Sequence, residues 1–155
     1  LVETKPAGDI HALSARYQPD SGVQALDLRA EGLAILPWQD YPGANDLSFS
    51  LSWQQNQGEL RLNSHQTTLY ADSWLDETVY LESMTGEVSW HYQQENWHIS
   101  AERLNLWNDD LNLSLNGRVN HQNGETDTDL RLELQDVQNN RWRAYLPTSL
   151  IPEDF

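Results

Sequence analysis

Cysteine is absent, so disulfides, thiolate nucleophiles and cysteine-ligated metals are excluded, and nothing in the thiol chemistry indicates a redox compartment. Basic residues are scarce: nine Lys and Arg stand against 24 Asp and Glu, a formal charge of -15. Nucleic acid is thereby excluded as a partner, because neutralising phosphates takes Lys and Arg. Charge-driven docking on anionic lipid headgroups is excluded for the same reason. No apolar run approaches the roughly 20 residues of a membrane helix. An initiator Met and a signal peptide are also lacking, so the expectation is an internal segment of a longer polypeptide. Apolar content is only 38% and mean hydropathy is -0.71, lean for a closed globule of 155 residues. A sheet dry on one side only fits that shortage.

What the chain does have is alternation. From Gly86 to Leu134 apolar and polar residues exchange places almost without interruption. Val88 and Trp90, Trp97 and Ile99, Leu111 to Val119, and Leu130, Leu132 and Leu134 fall on one side of successive strands, with Asn, Ser, Asp, Arg, Glu and His between them. Two-residue periodicity puts these residues on one face of a strand, whereas a helix would spread them around its circumference. Turn cues separate the runs: Gln93 to Asn96, and Gln122-Asn123-Gly124. The fold predicted is all-β: an elongated, curved antiparallel meander of about ten strands with a hydrophobic groove, forming a single segment over 1–155. At most one short helix is expected, near 141–146.

Earlier in the chain, Asp9 to Tyr17 reads as a first strand, and Pro19 to Gly22 as a turn. Leu26, Leu28 and Ala30 begin a second strand that resumes after Gly32 in the opposite phase with Leu33 and Ile35, which predicts a bulge at Gly32. Pro37 to Gly43 reads as an ordered connection over Trp38 and Tyr41. An internal repeat then relates 47–72 to 84–109 by a shift of 37 residues, laying Leu51 on Val88, Trp53 on Trp90, Leu60 on Trp97 and Leu69 on Leu106. Both copies change phase after a third in-phase residue, Ser64 in one and Ala101 in the other, so a bend is predicted near His65 and another near Glu102.

Catalytic signatures are missing. There is no Gly-rich phosphate loop and no Gly-x-Ser-x-Gly, and carboxylate pairs chosen from 24 acids carry no information. His91 and His98 are expected to face each other on the polar side of a hairpin, yet no third ligand has a claim to that spot. Asp127 and Asp129, with Asp109 and Asp110, lack the spaced loop of a Ca²⁺ site and read as a solvated acidic face. Neither catalysis, a metal nor a cofactor is expected. Tryptophan is the residue in excess, at seven. Trp53, Trp90 and Trp97 fall on the apolar face by phase, and Trp107 on the polar one. An apolar face left uncovered is a binding surface, and its expected lining is Leu51, Trp53, Val88, Trp90, Ile99, Leu113, Leu115 and Leu132.

Several short stretches then resemble a known family in both order and spacing: Pro37 to Ser48, Gly86-Glu87-Val88-Ser89-Trp90, Trp97-His98-Ile99 leading to Leu104-Asn105-Leu106 and Asp109, and Tyr145-Leu146-Pro147 with Ile151-Pro152. Together they resemble the YhdP branch of the AsmA-like proteins of Gram-negative bacteria. The resemblance implies a long periplasmic protein anchored in the inner membrane by an N-terminal helix. Its repeated β units would form a hydrophobic groove that carries phospholipid between inner and outer membranes. It implies acyl chains and neighbouring β-groove segments of the same polypeptide as partners, with edge-strand self-association of an isolated piece. The strong acidity departs from the pattern. The alternative from another class is a carbohydrate-binding β-sandwich, in which exposed Trp38 or Trp107 stacks on sugar rings.

Overall fold

A computed structural model describes residues 7–37, 42–70, 78–137 and 145. The alternating segments become eight strands: β1 (Asp9–Gln18), β2 (Gly22–Ile35), β3 (Gly43–Gln54), β4 (Gln57–Tyr70), β5 (Val79–Gln93), β6 (Asn96–Trp107), β7 (Asn112–Gln122) and β8 (Glu125–Gln135). They form one open, curved sheet in the order β1-β2-β3-β4-β5-β6-β7-β8, and every pairing is antiparallel between sequence neighbours. Eight strands rather than about ten are described because the strands are long. Residues on both sides of an irregularity belong to one strand, as on either side of Gly32 in β2. No α-helix occurs among the described residues, and Tyr145 stands in a 3-10 turn. Apart from Tyr145, the helical turn expected over 141–146 lies outside them, as do Trp38 to Tyr41 of the expected ordered connection.

The described residues make a single layer, so the two-sheet sandwich of the alternative reading is not the architecture found. Exposed surface says the same. A compact globule of 17.9 kDa exposes roughly 8,000 Å², whereas this chain exposes 11186 Å².

Four of the irregularities inside strands sit where a residue takes the left-handed backbone region. Gly32 (φ 61°), Asp46 (φ 59°), Gln66 (φ 55°) and Arg103 (φ 49°) lie in β2, β3, β4 and β6. Gln66 and Arg103 are each one residue beyond the bends predicted at His65 and Glu102. Opposite Arg103, Gly86 has a positive φ of 146° and allows a close approach, since a Cβ there would lie 2.6 Å from the Leu104 Cα. These phase changes let Leu60 and Leu62 share a face with Thr67 and Leu69.

The two ends of the strands differ. Four tight turns, at 19–21, 55–56, 94–95 and 123–124, lie at one end, while the connections β2–β3, β4–β5 and β6–β7 lie at the other. Burial is concentrated at the connection end. Val79, Leu81 and Met84 form a small core packed by Leu47, Leu62, Leu69, Leu106 and Tyr145, and Leu111 is buried in the β6–β7 connection. Asn108 locks that corner. Its Oδ1 accepts from the Asp110 and Leu111 amides at 3.0 and 3.2 Å, and its Nδ2 donates to the Tyr80 carbonyl and the Tyr145 hydroxyl at 2.6 Å each. The Tyr145 hydroxyl in turn donates to Asp110 Oδ2 at 2.8 Å.

Candidate functional site: an open apolar face

Residues directly paired across antiparallel strands point to the same side, so the register assembles the alternating residues into rows that cross the sheet. One row runs Leu13, Leu28, Leu51, Leu60, Val88, Ala101, Gly117, Leu130. The next, toward the turns, runs Ala15, Leu26, Trp53, Gly58, Trp90, Ile99, Val119. With seven strand-to-strand steps of about 4.8 Å, a row across all eight strands is about 34 Å long. The first row is apolar throughout, and the second is apolar as far as Val119 and ends on Thr128 in β8.

The expected lining residues fall on these rows and the two beside them. Leu51 and Val88 share the first row, separated by Leu60. Trp53, Trp90 and Ile99 share the second, with Gly58 between the two indoles. Leu115 is paired with Leu132 in a third row, and Leu113 with Leu134 in a fourth. Leu113 is buried at 7% exposure and so stands at the core end, whereas Leu132 is 46% exposed and Ile99 39%. Leu51, Trp53, Val88, Trp90 and Leu115 are half-buried.

The signal that reading by phase missed is glycine. A Cβ at Gly58 would lie 2.2 Å from Trp90 Cζ2, so the indole of Trp90 lies across that glycine. Likewise a Cβ at Gly117 would meet Leu130 Cδ2 at 2.4 Å. Each glycine in a row accommodates a large neighbour lying flat, and the face stays smooth. Nearer the turns, the Trp97 ring stacks on His121 with centroids 5.4 Å apart and planes 9° from parallel, and His121 Nδ1 lies 2.8 Å from Thr126 Oγ1.

The opposite face is polar and self-paired. Arg61 bridges to the half-buried Glu87, and the exposed pairs Arg118 with Asp129 and Arg131 with Glu133 bridge likewise; such surface pairs contribute little stability. Trp107 lies on this face, paired with Asn112 and 47% exposed. His91 and His98 do face each other across β5 and β6, as their spacing predicted, with the His98 ring hydrogen-bonded to Asn120. No three His, Asp or Glu side chains among the described residues gather where they could share a metal ion.

An apolar face open across eight meander strands is the architecture the family resemblance implies, and the family model for the YhdP protein matches residues 1–155. The chain belongs to the YhdP family. No curated protein and no solved structure gives a significant match. The described residues of this YhdP-family chain present an apolar face in a single layer of sheet, and no helix among them is long and apolar enough to cross a membrane.

Proposed function

We propose that this chain is part of a periplasmic lipid conduit of a Gram-negative envelope, in which phospholipid moves between inner and outer membranes along the apolar face without any covalent chemistry. The observation that carries this reading is the single-layer sheet with its apolar rows open, in a chain of the YhdP family. The rows supply what acyl chains need. Each buried methylene contributes about 0.8 kcal/mol without any directional contact, so capture takes neither a nucleophile nor a metal. Rows that continue unbroken from strand to strand allow sliding, because each step exchanges one apolar neighbour for another of similar size. In the longer protein, neighbouring segments of the same kind extend the sheet from β1 and β8, with the units 47–72 and 84–109 as its repeat, and an inner-membrane anchor lies elsewhere in the polypeptide.

Photo-crosslinkers test the reading. Placed at Leu51, Val88, Ile99, Leu115 and Leu132 they are expected to capture phospholipid in the envelope. Placed at Ser50, Ser89, Ser100 and Asn112, one residue out of phase, they are expected to capture none, because a one-residue shift turns a side chain to the other face. Equal capture at both sets, or none at either, ends the conduit reading.

A further inference from the structure

The apolar face is graded, and the gradient gives a bound lipid an orientation. Toward the connection end its residues are aliphatic, such as Leu47, Leu62, Met84 and Leu106, and they pack around the buried Leu81, with Leu111 also buried at that end. Toward the turns they become aromatic: Trp53, Trp90, Tyr92 and Trp97, with His121 stacked on the last. Indole and phenol rings favour the level where acyl chain gives way to ester and headgroup, one side apolar and the other wet.

Beyond the aromatics stand the four turns, whose composition is uniform. In one-letter form they read QPDSG at 18–22, QQNQ at 54–57, QQEN at 93–96 and QNGE at 122–125. Amides dominate, the charged residues are Asp20, Glu95 and Glu125, and there is no Lys or Arg. The turns are also tied together. The Gln55 amide donates to the Gln24 carbonyl at 2.9 Å, the Tyr92 amide to the Asn56 carbonyl at 2.6 Å, and the Asn123 amide to Asn96 Oδ1 at 3.1 Å. This makes an edge of neutral donors and acceptors with three carboxylates, and one cation beside it, Arg16 of β1, which shares a hollow with Gln24 and Gln54 to Gln57.

Resting on the conduit reading above, we infer that this turn edge is the headgroup rim of the groove, and that it favours phospholipids carrying an ammonium group over lipids of net negative charge. The amides donate to the phosphate, and Asp20, Glu95 and Glu125 attract the ammonium. A glycerol headgroup leaves its phosphate charge uncompensated beside whichever carboxylate it meets.

The test uses the 155-residue chain and phosphatidylethanolamine or phosphatidylglycerol with identical brominated acyl chains, delivered on cyclodextrin, with quenching of tryptophan fluorescence as readout. The ethanolamine lipid is expected to quench at a concentration about threefold lower, the scale one exposed charge contact supplies, and salt is expected to shrink the difference. Replacing all three exposed acids (Asp20→Lys, Glu95→Lys, Glu125→Lys) is expected to invert it. A lipid with a diazirine beside its ester is expected to label peptides around Trp53, Trp90 and Trp97. Equal quenching by the two lipids, a preference unmoved by salt or by the triple variant, or labelling centred on Leu81 and Leu111 overturns the inference and leaves the groove standing. Quenching by neither lipid removes the groove itself, and the rim with it.

Discussion

A charge placed on the apolar face separates an open groove from a sealed core, and the structure gives the size of the effect at two leucines. Leu132 is 46% exposed and Leu81 is 0% exposed. Full burial of a leucine side chain contributes about 1.5–3 kcal/mol, so Leu132→Asp forfeits roughly half of that, about 1 kcal/mol, plus a few tenths for the poor strand propensity of Asp. The new carboxylate stays hydrated. At about 2–4 °C per kcal/mol for a chain of this size, the melting temperature is expected to fall by about 3–5 °C. Leu81→Asp instead confines a carboxylate among Val79, Met84 and Leu106, at a cost of several kcal/mol. Against a total stability of about 5–15 kcal/mol, that change is expected to abolish the cooperative transition. Far-UV circular dichroism against temperature reads both, and lipid capture measured on the same samples adds the functional half: Leu132→Asp keeps the fold and loses lipid. If Leu132→Asp unfolded the chain as thoroughly as Leu81→Asp, the face would be covered and the reasoning here would fail.

Three further outcomes are expected. Asn108→Ala strips partners from the Tyr80 carbonyl, the Tyr145 hydroxyl and two backbone amides, and should cost about 2–3 kcal/mol in urea unfolding; a loss below 0.5 kcal/mol would mean the corner is not closed by that side chain. Gly58→Ala drives the Trp90 indole off its seat, so tryptophan emission should move to the red with about 1–3 kcal/mol lost, while an unchanged spectrum would contradict the flat indole. Every residue of β1 and of β8 is exposed, so the isolated chain should self-associate through its edge strands, and sedimentation velocity showing only monomer at millimolar concentration would argue against free edges.

The alternation of single residues carried the architecture into view because each strand has one wet and one dry face, and that contrast is written at every position. The phase changes at Gln66 and Arg103 were legible within one residue for the same reason: a bulge displaces every later apolar residue by one. Less legible was the strand count. Strands of up to 15 residues, well beyond the usual five or six, look broken where they are only kinked. Nothing in the sequence marked the difference between the two ends of the sheet. Leu113 and Leu132 are alike in phase and composition, yet the first packs at the core end and the second stands in the open. The clamp of Asn108 with Tyr145 joins residues 37 apart, a distance that periodicity does not reach. Gly58 and Gly117 looked like gaps in their rows, and only the register shows that Trp90 and Leu130 fill them.

The neighbour-to-neighbour order of the strands has a consequence for how such a chain comes into being. Every strand finds its partners immediately before and after it in sequence, so no segment has to wait for a distant one. Loop closure is short at each step, and structure can grow from the first hairpin in the direction of synthesis, each new strand templated on the last. Stability then accumulates by nearest-neighbour increments, as in repeat proteins. Under that scheme a chain interrupted partway already holds a usable length of track, and adding one hairpin lengthens it by about two strand spacings, roughly 10 Å, without rearranging what is already built.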